Sequence, residues 1–164
     1  MADGIVAIGE CMLELSGQIS HSWRMGFGGD TFNTLWTIRA LSSSHQVDYV
    51  SAFGDDPFSH EQIGFLRAHD IGIAKSPVIR GARPGLYAIT LEGAERSFTY
   101  WRSDAAARQL ASDSAALAKS LEQRTLVYFS GITLAILDTA SRRTLLQAIA
   151  QARAHGAHIA FDPN

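Results

Sequence analysis

The chain has 164 residues, of which 46% are apolar and 18% charged, with a formal net charge of -2. A chain of this length can bury roughly 70% of its unfolded surface, enough for one real core, and its hydrophobicity excludes intrinsic disorder. Cys11 is its only cysteine, which excludes a disulfide scaffold. The longest uncharged apolar stretch, Gly131 to Leu137, falls far short of the ~20 residues a membrane-spanning helix needs. The near-neutral charge balance argues against nucleic acid as a partner. With no basic region ahead of Ile5 and an acid at Glu10, the start does not read as a secretory signal, and a cytoplasmic location is expected.

Gly4 to Leu15 opens on a nearly continuous apolar run, which predicts a strand buried on both faces, as in a parallel sheet. Gly26 to Gly29 reads as a glycine-rich turn, with Asp30 as the N-cap of a following helix. The apolar face of that helix comprises Phe32, Leu35 and Trp36, widened by Ile38 and Leu41. Val47 to Phe53 reads as a strand, and Pro57 opens a helix carrying Phe58, Ile63, Phe65 and Leu66. Leu86 to Glu92 and Arg96 to Arg102, flanking Gly93-Ala94-Glu95, form a predicted hairpin, with Tyr87, Ile89 and Leu91 on one face and Phe98, Tyr100 and Arg102 on another. A helix over Asp113 to Gln123, a strand over Thr125 to Ser130, a helix over Asp138 to His155 with Leu145, Leu146, Ile149 and Ala152 inward, and a strand over Ala157 to Phe161 complete the chain, with Gly156 as a C-cap. Strands alternating with helices imply an α/β fold, a parallel sheet with helices on its faces, and the hairpin implies a smaller sheet projecting from it. Such sheets bind ligands beyond the carboxyl ends of their strands. The chain stops at such an end, on Asp162-Pro163-Asn164, so an incomplete domain is expected.

Several familiar signatures are missing. The sequence holds no P-loop, no G-x-G-x-x-G, no H-E-x-x-H and no C-x-x-C. The six histidines do not cluster, and His155 and His158 lack the spacing of a zinc site. Gly28-Gly29-Asp30-Thr31-x-Asn33 admits two readings: an ordinary glycine turn with a helix cap, or a cradle whose backbone approaches a ligand while Asp30 and Asn33 bond its hydroxyls. Tyr100-Trp101-Arg102 reads either as a half-buried strand with an exposed arginine or as a carboxylate reader, since a guanidinium can hold a carboxylate in bidentate fashion. Asp55-Asp56 is either a carboxylate pair or the start of the helix opened by Pro57.

Taken together, Gly9-Glu10-Cys11-Met12-Leu13-Glu14-Leu15 and Gly26-Phe27-Gly28-Gly29-Asp30-Thr31-x-Asn33-Thr34 resemble the start of the ribokinase-like (PfkB) sugar kinases. Arg83-Pro84-Gly85-Leu86-Tyr87, Tyr100 to Ala107 and Ser130 to Leu137 resemble the branch of that family acting on 2-keto-3-deoxygluconate. The resemblance runs from Ile5 to Asn164 and implies a Rossmann-type α/β domain whose β-sheet lid takes strands from around 14–26 and 86–102. It implies that Gly29, Asp30 and Asn33 hold the sugar, that Tyr87, Tyr100 and Arg102 reach it from the lid, that Ile132 lines the pocket floor, and that Asp162 and Asn164 lie near the phosphates; Glu14 also falls among the expected sugar contacts. The implied reaction is ATP-dependent phosphorylation of the sugar acid at its 6-hydroxyl, with Mg2+ as cofactor and a homodimer through the lid as a possible assembly. The family's catalytic aspartate belongs to a Gly-Ala-Gly-Asp motif absent from this sequence. No residue here is therefore assigned a catalytic or metal-binding role, most of the ATP site is expected in a missing C-terminal half, and these residues alone are expected to be inactive. A kinase for fructose or ribose and a non-catalytic binding or dimerisation fragment are the competing expectations.

Overall fold

A computed structural model describes residues 4–19, 21–92 and 95–164. In chain order the elements are β1 (Gly4–Ile8), β2 (Met12–Gly17), β3 (Trp23–Gly28), α1 (Asp30–Leu41), β4 (Gln46–Val50), β5 (Phe53–Gly54), α2 (Pro57–Ala68), β6 (Ile71–Gly72), β7 (Val78–Ile79), β8 (Leu86–Glu92) and β9 (Glu95–Trp101). A 3-10 turn (Ala106–Gln109) follows, then α3 (Ser114–Leu121), β10 (Arg124–Ser130), α4 (Gly131–Ala135), α5 (Thr139–Ala154) and β11 (His158–Asp162).

The main sheet has the order β11-β10-β1-β4-β6, and all its pairings are parallel. Side chains alternate across a strand, so β1 feeds two cores. Val6 and Ile8 join Val50, Val127 and Phe129 under α3 and α5, while Ile5 and Ala7 join Val47 and Tyr49 under α1 and α2. That double burial is why the first residues read as one apolar run. The second sheet, β3-β2-β8-β9, joins antiparallel β2–β3 and β8–β9 pairs through a parallel β2–β8 pair. Among the described residues no helix is long and apolar enough to cross a membrane.

Several expectations are corrected. The strand expected over Gly4 to Leu15 is two strands in different sheets, because the chain leaves the main sheet at Gly9–Cys11, where a Gly9 side chain would overlap the Thr31 hydroxyl. The turn expected at Gly26 is the end of β3. Asp30 is the first residue of α1 rather than its cap; Gly29 occupies the N-cap position without a side-chain bond, leaving the Asp30 carboxylate near the positive end of the helix. Leu41 and Leu146 point outward, 84% and 46% exposed, and Phe58 is also exposed. In the hairpin, Tyr87 lies opposite Tyr100 and Ile89 opposite Phe98, so the two rows expected on separate faces share one. The Gly93-Ala94 tip lies outside the described residues. The Asp55-Asp56 pair resolves as structural: Asp56 caps α2 by accepting from the Phe58 and Ser59 N–H groups, and Asp55 accepts from the Gly81 N–H at 2.8 Å.

At the amino ends of the strands, a buried ion pair spans three neighbours. Arg124 of β10 reaches across β1 to Asp48 of β4, and it can do so because Gly4, beneath its path, carries no side chain. Arg124 Nε also donates to the Ser120 carbonyl at 2.9 Å, and Gln46 Nε2 donates to Asp48 at 3.1 Å. Asp48→Ala leaves the guanidinium buried without its partner, and should cost about 3–5 kcal/mol in urea unfolding. A loss below about 1 kcal/mol would mean that the pair behaves as a solvated surface contact.

Candidate functional site

The carboxyl ends of β1, β10 and β11 converge on one edge of the main sheet, and the second sheet arises from the same edge. The Thr133 hydroxyl donates to the Ile8 carbonyl at 2.8 Å, tying the start of α4 to the end of β1. Ser130 caps α4 in a reciprocal box with Thr133. Gly131 lies against the Pro163 carbonyl, where any side chain would collide. The last residues thereby come back to the first helix: Asn164 Nδ2 donates to Asp30 at 3.3 Å, and its N–H donates to Asp162 at 3.0 Å.

The second sheet presents a row of polar and aromatic groups. Gly26, Glu14, Tyr87 and Tyr100 are successive cross-strand partners on its four strands and so face the same way. The Tyr87 hydroxyl donates to Glu14, and Gly28 lies beside that bond, where a side chain would overlap the hydroxyl. Burial, the bond to Glu14 and the Glu14 charge all push the Tyr87 hydroxyl pKa up, so Tyr87 remains a neutral donor. The Tyr87 and Tyr100 rings stand 5.8 Å apart, and the Arg102 guanidinium lies 5.8 Å from the Tyr100 ring centroid.

Arg102 ends this row and pairs with Glu10, from the segment between β1 and β2. Glu10 is 3% exposed, and its other oxygen, Oε1, is buried without a hydrogen-bond partner among the described residues. Its backbone carbonyl occupies the space that a Gly29 side chain would need, and Gly85 makes room for Oε1 in the same manner. Glu10 therefore touches the start of α1 with its backbone and the end of β9 with its side chain. Beyond Arg102 opens a cleft of roughly 600 Å3, bordered by Tyr100, Arg102, Asp104, Arg108, Ile132 and Ile136.

The structure thus gathers most of the residues singled out from sequence into two adjoining groups. Gly29, Asp30 and Asn164 meet at the start of α1, with Asp162 bonded to Asn164. Tyr100, Arg102 and Ile132 border the cleft, and Tyr87 stands beside Tyr100. Asn33 sits one turn into α1, exposed, and no side-chain hydrogen bond joins it to the others among the described residues. Glu10 and Arg108 were not singled out as candidates. An acid immediately after a run buried on both faces is the signal that marks Glu10; Arg108 carries no comparable mark. Among the described residues no three His, Cys, Asp or Glu side chains gather closely enough to hold a metal ion.

The pfkB family carbohydrate kinase profile matches residues 2–164. The chain belongs to this family. It is 40% identical over 165 residues to the 2-dehydro-3-deoxygluconokinase of Dickeya dadantii, covering 98% of this chain and 53% of that protein. It is 39% identical over 169 residues to the enzyme of the same name from Escherichia coli K12, covering 100% and 54%. The chain spans about half the length of the curated relatives it matches. Among solved structures, a PfkB family carbohydrate kinase from Listeria grayi superposes with a TM-score of 0.85 at 24% identity, covering 98% of this chain and 52% of that one. The Thermotoga maritima 2-dehydro-3-deoxygluconokinase superposes with a TM-score of 0.81 at 22% identity, covering 98% and 51%. A putative ribokinase II from E. coli, solved with ATP and Mg2+, gives 0.78 at 19% identity, covering 100% and 53%. These likenesses establish the ribokinase-like α/β fold.

Burial raises the Glu10 pKa above its ordinary 4.5, more than the Arg102 charge lowers it. The folded protein therefore holds this proton more tightly than the unfolded chain does. The resulting stabilisation is complete below the unfolded pKa and is lost as pH rises through the folded one. Measured against Glu10→Gln by denaturant unfolding from acid to neutral pH, the wild-type chain should lose relative stability across that window and then level off. A relative gain with rising pH would show that Arg102 outweighs burial.

Proposed function

We propose that these residues form the sugar-binding part of an ATP-dependent kinase that phosphorylates 2-keto-3-deoxygluconate at its 6-hydroxyl in the cytoplasm. The observation that carries this reading is Arg102: a guanidinium beside the Tyr100 ring at the edge of an open cleft, suited to a carboxylate that neutral sugars lack. The 40%-identical relatives named for that substrate support it. In this reading, Tyr87 and Tyr100 orient the hydroxyls from above, while Gly29, Asp30 and Asn33 hold them at the start of α1. Ile132 floors the pocket, and Asp162 and Asn164 face the phosphate side. The β3-β2-β8-β9 sheet acts as a lid that excludes water from the transferring phosphoryl group. When bound, ATP with Mg2+ supplies that group, and both are held mostly by residues outside these 164. Calorimetry should show the chain binding 2-keto-3-deoxygluconate. Arg102→Ala should weaken this by about 1.5–3 kcal/mol while leaving fructose binding nearly unchanged. Equal losses for both ligands would overturn the sugar-acid assignment. ATP turnover by the 164-residue chain alone would overturn the division of labour.

A second surface supports assembly. The face of the lid sheet opposite Tyr87 and Tyr100 is an apolar groove lined by Leu15, Trp23, Leu86, Ala88, Thr99 and Trp101. Trp23 and Trp101 are 37% and 57% exposed there. Contiguous apolar surface on a sheet face marks an interaction site, and we propose a homodimer through this face. Sedimentation should give a dimer that Trp101→Glu converts to monomer with the fold intact; a monomeric wild-type chain would overturn it.

A further inference from the structure

The sugar-acid reading uses Arg102 but leaves Glu10 without a role. Burying a carboxylate costs several kcal/mol, and an ion pair in such a place often does no better than apolar groups of equal size. One Glu10 oxygen is matched to Arg102 Nη2 and the other to nothing among the described residues. The surroundings are nevertheless shaped to admit it: Gly85 lacks the side chain that would displace Oε1. Fold stability alone does not explain a carboxylate at this position.

The geometry of Arg102 does. A guanidinium carries five N–H donors in a rigid plane. Glu10 takes a donor on Nη2, and no other hydrogen bond to this guanidinium is made among the described residues. The Tyr100 ring constrains it from a second direction. The side chain is 23% exposed, so it is anchored while still reaching the cleft. The charged groups acting on Glu10 are Arg102 of the lid hairpin, Arg108 of the 3-10 turn and Asp30 of α1.

We propose that Glu10 is a positioning residue for sugar-acid recognition: its buried carboxylate holds Nη2 of Arg102 so that the remaining guanidinium donors meet the ligand carboxylate in a fixed orientation. The inference rests on the reading of Arg102 as the carboxylate site. A free arginine must give up rotamer freedom on binding, whereas a pre-held one has already done so.

The test uses the 164-residue chain and two readouts. Nitrogen-15 NMR of arginine side chains, with Arg102 identified through Arg102→Lys, reports whether its Nη protons are held. Calorimetry with 2-keto-3-deoxygluconate and with fructose reports recognition. The wild-type chain should show separate, slowly exchanging Nη signals that merge in Glu10→Gln. That variant should bind the sugar acid about tenfold or more weakly, with fructose binding unchanged, and Glu10→Asp should recover part of the loss. If acid binding survives Glu10→Gln unchanged, or both ligands weaken alike, the positioning role is overturned while the Arg102 reading stands. If the wild-type chain binds fructose but not the acid, the Arg102 reading fails and this inference fails with it. Should Glu10→Gln not fold, Glu10→Asp carries the same comparison, and equal weakening of both ligands overturns the role.

Discussion

The ion pair between Glu10 and Arg102 joins the two sheets at the point where the chain passes from one to the other. Glu10 follows the end of β1, and Arg102 follows the end of β9, 92 residues later. The same crossing is bonded on either side: Gln62 Nε2 donates to the Cys11 carbonyl at 2.7 Å, and the Leu13 N–H donates to the Gly85 carbonyl at 2.8 Å. Gly9, Gly29 and Gly85 each border this segment so closely that a side chain would collide with Thr31 or Glu10. The second sheet thus rises from the main sheet at a junction packed to backbone contact, with a charge pair at its centre. The placement of Tyr87, Tyr100 and Arg102 relative to the start of α1 depends on that junction.

Much of the architecture was legible because its signals are local. Double burial made β1 a continuous apolar run, helical spacing marked α2 and α5, and the hairpin showed in the β-branched and aromatic residues of β8 and β9. The change of sheet was not legible in the apolar pattern, although the family resemblance implied a lid with strands from around 14–26. Gly4–Ile8 and Met12–Leu15 are both apolar, and nothing in hydrophobic period distinguishes one strand from two that belong to different sheets. To composition β3 was hidden by its glycines, and only the family resemblance pointed to lid strands around 14–26: Gly26 and Gly28 resemble a turn, yet both lie in the strand, and position 28 is glycine because the Tyr87 hydroxyl needs its space. Asp30 looked like a cap because aspartate favours that position; Gly29 holds it because the Glu10 carbonyl leaves no room for a side chain. Leu41 and Leu146 follow a helical period whose outer edge reaches solvent.

The site was legible in parts and not as a unit. Motif resemblance singled out Asp30, Asn164, Tyr100, Arg102 and Ile132 from four stretches of chain, and the fold brings them to one edge of the sheet. What joins these parts was not visible: the Asn164–Asp30 contact closes a loop of 134 residues, and Glu10 reaches Arg102 only because two sheets meet there. Pairings at such separations are set by topology, and single-chain patterns of period 2 or 3.6 carry no record of them.

The pairing also bears on how an anion would be distinguished from a neutral sugar. An unpaired arginine in an open cleft attracts any anion through its net charge, phosphate as readily as carboxylate. Glu10 pairs with that guanidinium at close range, while Arg108 borders the same cleft without a hydrogen-bonded carboxylate among the described residues. On the proposed reading, attraction at a distance falls to Arg108, and discrimination on contact to the oriented donors of Arg102. Charge draws anions of many shapes, but a fixed donor plane favours those whose oxygens match its spacing. On the proposed reading, a buried carboxylate that weakens the field of its partner while fixing its direction exchanges indiscriminate attraction for selectivity, which suits a site proposed to hold a sugar acid beside a triphosphate.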